Sequence, residues 1–284
     1  MIEYTFFQNS LWASLLTGLL CGFIGTYVVT RRMVFIAGGI AHSSLGGVGI
    51  CALLGVSPML GAGVAALATG YGVNSLSHKF HVRQDSAIAM LWALGMSVGV
   101  LCSYLSPAFL PDLPNYIFGN ILLTTRVDLI LLFVVTMGTI LYFVLQLPQI
   151  TAISYDRDFA SSSGLPVWRT ETILTFLIAL SVVAVLKVMG IVLAICMLSI
   201  PQMTASLLTH TYQGTCLWSA FFSIISCLSG LAISVIFNVP SGASIVLVSI
   251  AVYATAYTIK AIITRFNKRS VGPKQYTTSN RPVQ

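Results

Sequence analysis

Charge is what this 284-residue sequence most lacks: Asp, Glu, Lys and Arg make up 7% of it, against 57% apolar residues. A soluble globular chain carries roughly a quarter charged residues, so this one could not cover a water-facing surface. Apolar runs close to the ~20 residues that cross ~30 Å of hydrocarbon recur along almost its whole length. The runs are continuous, whereas the strands of a membrane barrel alternate apolar and polar positions over ~10 residues. The class these features predict is all-α: a polytopic helical membrane protein.

Carboxylates are scarcer still. The seven acidic residues, Glu3, Asp85, Asp112, Asp128, Asp156, Asp158 and Glu171, all fall in loops or at the ends of apolar runs. Proton- or ion-coupled carriers usually keep a carboxylate inside the membrane as relay or coupling site. Its absence points to a permease driven by a separate motor subunit, or to a channel running downhill. A Walker phosphate-binding sequence is also missing, so ATP hydrolysis is not expected of this chain, and it is not read as an enzyme. No CxxC pair or zinc-ligand spacing occurs, and Cys21, Cys51, Cys102, Cys196, Cys216 and Cys227 read as small buried hydrophobes. The opening MIEYTFFQNS has neither the basic region nor the cleavage site of a secretory signal, so the first apolar run is expected to stay as a span.

What is present is a series of spans, placed near 9–30, 34–56, 58–77, 86–105, 128–147, 171–188, 190–208, 216–237 and 242–264. The short KVMG join between two of them suggests that one is re-entrant or broken, which gives eight or nine spans. Residues 1–264 form one transmembrane domain, and 265–284 a polar basic tail read as disordered. The net charge of +7 is explained by orientation rather than by nucleic acid. Arg31, Arg32, Lys79, Arg83, Arg157, Arg169 and the tail belong on the cytoplasmic side, while the opposite segments around Val56-Ser57-Pro58, SPAFLPDLPNYIFGN and NVPSG carry no lysine or arginine. Nine alternating spans then place the N-terminus outside. Lys187 falls near the outer interface, where it can snorkel and avoid the ~2.5–3.5 kcal/mol cost of a central charge.

Three local features stand out. The run FIAGGIAHSSLGG places one imidazole, His42, in a glycine-rich span, as a candidate metal ligand or as a hydrogen bond to a neighbouring helix. The polar segment at about 154–167 offers Asp156 or Asp158 as the cap of a short helix that Gly164 and Pro166 would stop, either a docking element or a solvated loop. The outer segment SPAFLPDLPNYIFGN suits a lid or an interfacial helix, or an ordinary proline-rich connection. The GxxxG spacings Gly18–Gly22 and Gly95–Gly99 are read as packing within one subunit. Met189, Met197 and Met203 are also read as packing. His78 and His81 are assigned to a solvated basic turn, and His210 has no visible partner.

RRMVFIAGGIAHSSLGGVG, IFGNIL, DRDFASSSGLPV, KVMGIVLAICMLSIPQMTA and NVPSGASIVLV together resemble, in order and over roughly residues 10–264, the permease subunits of bacterial zinc/manganese/iron ABC transporters. The resemblance implies the metal-type ABC importer permease fold and an inner-membrane homodimer with its tail in the cytoplasm. It also implies a pair of cytoplasmic ATP-binding subunits and an extracytoplasmic metal-binding protein. A divalent metal ion would be the cargo, with no permanently bound cofactor. The family's glycine-aspartate-x-x-x-histidine stretch falls on Ala37 to His42; the histidine matches, but Gly38 stands where the aspartate belongs. The resemblance also makes 156–166 the coupling helix, with Asp156, Asp158, Phe159, Ala160, Gly164, Leu165 and Pro166 against the ATPase. Gly38, Gly39, Ser43, Gly190 and Pro201 would line the pathway. An ATP-independent channel or carrier, and an importer of a metal chelate, are the competing readings.

Overall fold

The computed structural model describes residues 5–105, 119 and 121–270. It is helical throughout, with no strand among the described residues: α1 (Thr5–Thr30), α2 (Val34–Leu53), α3 (Pro58–Lys79), α4 (Gln84–Leu105), a 3-10 turn (Ile121–Leu123), α5 (Arg126–Tyr155), α6 (Arg157–Ser162), α7 (Val167–Met189), α8 (Ile191–Met197), α9 (Ile200–Leu208), α10 (Tyr212–Phe237) and α11 (Ser241–Ser270). Eight stretches are long and apolar enough to span a membrane, with α8 and α9 counted as one broken span. α3 is not among them, because glycines and the polar pair Asn74 and His78 dilute it. Its 22 residues nevertheless reach ~33 Å at 1.5 Å per residue, and it runs beside α2 and α7.

Contacts sort the helix ends into two groups. At one end Arg31, His78 and Arg157 converge on Glu171. At the other, Asn9 donates to the Thr124 carbonyl at 3.2 Å, and Lys187 pairs with Asp128. Arg31 and Arg157 therefore lie at the end of the bundle opposite the N-terminus, as the charge pattern predicts, while Arg126 and Lys187 lie at the N-terminal end beside Asp128.

Burial divides the helices too. The hydrophobic core is built largely from α1, α2, α7 and α8, whereas α4 and α11 turn most of their surface outward. Backbones approach closely where glycines meet. A Cβ on Gly47 would lie 2.0 Å from the Gly61 carbonyl oxygen of α3, and one on Gly46 would lie 2.6 Å from that of Gly95 on α4. α2 is thus wedged between α3 and α4 with almost no side chain on either side. Gly18 meets Ile224, and Gly22 meets Ala220, both on α10. Both GxxxG spacings therefore pack helices within one chain, as read from the sequence.

Three sequence expectations change. Asp128 and Glu171 sit at helix ends but are buried, 7% and 4% exposed, and each is held by cations. Lys187 does not snorkel alone, because Asp128 is its partner. α11 continues to Ser270, into the stretch read as a disordered tail; residues 271–284 lie outside the described residues. The expected outer lid falls on 106–120, which apart from Gly119 also lies outside them.

Candidate functional site

His42 lies in the middle of α2, half-buried, its ring stacked on Trp92 of α4 with centroids 4.6 Å apart and planes 6° off parallel. Its Nδ1 is buried and accepts or donates no hydrogen bond. The structural alternative, a histidine that fastens a neighbouring helix by hydrogen bonding, is not what these contacts show. Stacking fixes the ring plane and leaves the nitrogens uncommitted. Trp92 also faces Gly38. A Cβ built there would sit 3.3 Å from Ile195 Cδ1 and 3.8 Å from Trp92 Cζ3. Gly38, four residues before His42, is therefore on the same helical face. It looks at the same tryptophan and at α8.

The other pathway assignments divide. Gly39 faces Ile88, whose Cγ2 would lie 2.6 Å from an added Cβ, and Ser43 packs its backbone on Gly95 of α4. These two are helix-packing positions, and Ser43 also lines an apolar cavity between α2, α3 and α4. Ser43 and Ser44 also spend their hydroxyl protons on the Ile40 and Ala41 carbonyls, at 3.0 and 2.6 Å. Among the described residues no three His, Cys, Asp or Glu side chains assemble into a metal site.

Opposite α2, the chain breaks between α8 and α9. Gly190 opens α8 at φ 80°, a conformation that suits a residue without Cβ, and caps α7 with its N–H on the Leu186 carbonyl at 2.8 Å. Pro201 has no N–H, so the Met197 carbonyl four residues earlier loses its usual donor. Gln202 replaces it: its amide donates to Met197 O at 3.1 Å and to Cys21 O on α1 at 2.7 Å. An unsatisfied carbonyl in hydrocarbon costs several kcal/mol, and a neighbouring amide is one of the accepted remedies. Gly190 and Pro201 are buried and act here as shapers of the broken helix. Met189 and Met197 are buried in the core, as expected of packing residues, while Met203 is exposed.

The polar segment forms the short helix the sequence predicts. Asp156 is its N-cap, accepting from the Asp158 and Phe159 amides at 3.1 and 2.9 Å. Gly164 stops it at φ 78°, with Leu165 N–H on the Ala160 carbonyl and Gly164 N–H on that of Ser161, both 3.1 Å, a Schellman closure. Phe159 stands 65% exposed, and Asp156, Asp158, Gly164 and Pro166 are exposed around it. Ala160 is fully buried against Ile153, Val167 and Leu165. It seats α6 on its own chain and offers nothing to a partner, which corrects its assignment as a docking contact.

Sequence reasoning missed what fastens this helix to the bundle. Glu171 Oε1 accepts from Arg31 Nη2 at 2.9 Å and from Arg157 Nε at 3.1 Å, and Oε2 meets His78 Nε2 at 2.8 Å. Trp168 packs edge-on against the His78 ring. One carboxylate thus joins the ends of α1 and α3, the start of α7, and α6. His78 is neither solvated nor a metal ligand beside His81, which points to solvent at φ 54°. The available signals were an acidic residue one turn inside an apolar helix, and a tryptophan, Trp92, mid-span rather than in the interfacial belt where membrane tryptophans concentrate.

With this geometry in hand, comparisons with known proteins are informative. A family model described as the ABC 3 transport family matches residues 3–260. An uncharacterised membrane protein of Synechocystis is 36% identical over 252 residues, 89% of this chain and 90% of that one. The manganese transport system membrane protein MntC of Halalkalibacterium halodurans is 32% identical over 269 residues, 94% of this chain and 92% of that protein. Among solved structures, PsaBC from Streptococcus pneumoniae in complex with Fab matches with TM-score 0.79 and 26% identity, over 90% of this chain and 92% of that one.

Proposed function

The chain belongs to the ABC 3 transport family, the permeases of metal ABC transporters, and from that membership we propose that it forms the membrane path of an ATP-driven importer of divalent metal ions. The observation that carries the reading is α6: a capped, stopped helix at the basic end that exposes Phe159 while Arg157 ties it to Glu171. A helix so built offers an apolar knob to a partner and transmits its displacement to α1, α3 and α7. A pair of cytoplasmic ATP-binding subunits fits that surface. The basic end then faces the cytoplasm across the bacterial inner membrane, by the bias of lysine and arginine toward that side. A second copy of the chain completes the path, and an extracytoplasmic binding protein delivers the cargo.

The cargo meets His42. A neutral imidazole binds zinc well and manganese or iron acceptably. Without a carboxylate at position 38, the ion keeps most of its water and passes a weak contact that releases it readily. The named relative makes manganese the first ion to test. No protein-bound cofactor takes part.

Uptake of labelled Mn²⁺ into sealed proteoliposomes tests the reading. Accumulation is expected only with the partner ATPase and ATP present, with competition by free Zn²⁺ and Fe²⁺ ranking the ions. Concentration of the ion by this chain alone, without nucleotide, would mean a carrier. Uptake only of a complexed metal would mean a chelate importer.

A further inference from the structure

Beside the Glu171 hub lies a polar cavity of about 420 Å³ whose wall carries Arg31, Arg32, Arg83 and Arg157, together with His78 and Asp85. Its charge does not balance. Glu171 holds Arg31 and Arg157, but the side chains of Arg32, Arg83 and Asp85 have no hydrogen-bond or ion-pair partner among the described residues. Arg31 Nε is itself buried and without an acceptor. Four guanidiniums facing two carboxylates leave a surplus of positive charge and of N–H donors. That is a demand for an anion with several oxygens, and a phosphate group matches the fork geometry of arginine.

The surroundings are those of an amphiphile's binding site. Phe35, one helical turn past Arg32, is 68% exposed, and Phe80, between His78 and Arg83, is 69% exposed. α4, which begins at the lining residue Gln84, turns an apolar face outward with Met90, Leu94 and Leu101 exposed. Basic pockets between helices at the membrane surface are suited to phospholipid headgroups, with acyl chains lying along the apolar faces next to them.

We propose that this cavity binds the phosphate of an anionic phospholipid from the leaflet at the basic end, with Arg32 and Arg83 as its principal ligands. The bound headgroup bridges the corner between α1 and α2, the corner between α3 and α4, and Arg157 of α6. Lipid charge therefore stiffens the joint through which α6 is attached. The proposal requires the chain to lie in a membrane and is independent of which ion is carried.

Native mass spectrometry on the full-length chain in detergent provides the test, using phosphatidylglycerol and phosphatidylethanolamine of identical acyl chains. Phosphatidylglycerol is expected to be retained selectively. Arg32→Gln combined with Arg83→Gln is expected to weaken that retention about 30-fold, at about tenfold or less per arginine, and to leave phosphatidylethanolamine unaffected. Neither arginine makes a contact that folding depends on, and an unchanged lipid-free melting temperature, read also on each single variant, checks this. Equal retention of the two lipids, or undiminished phosphatidylglycerol on the double variant, would overturn the proposal. Displacement of the lipid by millimolar inorganic phosphate would reassign the cavity to a soluble anion. Its expulsion on adding the ATPase would reassign it to a protein carboxylate.

Discussion

α2 and α7 use charge in opposite ways. At the middle of α2 the only ionisable side chain is His42, stacked on Trp92 and otherwise uncommitted, with Gly38 one turn before it on the same face. At the start of α7 a single buried carboxylate is shared among two arginines and a histidine. The first region is built to hold nothing tightly; the second is built so that nothing moves alone. A buried ion pair is weak evidence of stability but strongly destabilising to break, because the surviving partners keep their desolvation cost. Fixed charge is clustered at the joint between helix ends and is absent around His42 in the middle of α2.

Removing the charge of the second region should produce the largest effect. Glu171→Gln leaves two arginines without a counter-charge and is expected to lower stability by about 3–5 kcal/mol, seen as a fall in the detergent melting temperature. An unchanged melting curve would show that the hub is not a structural joint. Next comes an attempt to make the first region resemble the second. Gly38→Asp puts a carboxylate four residues from His42, where Ile195 Cδ1 at 3.3 Å has to yield only slightly. Its cost in metal-free protein is about 2.5–3.5 kcal/mol, and Mn²⁺ should restore much of it. A variant whose melting temperature ignores Mn²⁺ would mean that residues 38 and 42 do not converge on an ion.

Phe159→Asp addresses the partner side of the joint. An exposed aromatic at the centre of a docking surface is worth about 2 kcal/mol, so co-purification with the ATPase should fall about 30-fold while the isolated chain stays folded. Intact assembly would remove α6 from the interface. Gln202→Ala frees the Met197 and Cys21 carbonyls and should cost about 1–3 kcal/mol, read as earlier melting. Smallest in free energy is His42→Ala: Mn²⁺ uptake should drop about tenfold, equivalent to about 1.4 kcal/mol, with expression and ATPase binding preserved. Full uptake would make the imidazole a bystander.

Much of this was open to reading in the chain itself, for particular reasons. Asp156 and Gly164 bracket α6 because a cap and a left-handed stop act within a few residues, and their geometry followed as expected. The join between α7 and α8 was visible in KVMG. What escaped was long-range: Gln202 reaching α1, Lys187 finding Asp128, Trp92 lying over His42, and Ala160 turning inward rather than toward a partner. None of these pairings has a local signature.

The sequence by itself determined the solvent, the helical class and the end of the bundle that carries the positive charge. Those follow from composition and from the spacing of residues along single helices, where each contribution is local and adds up. Only the tertiary structure decided which carboxylate became a joint, which glycines became contacts and which histidine was left free. A buried charge takes its role from the partners that surround it, and two of those around Glu171, Arg31 and His78, lie 140 and 93 residues away along the chain.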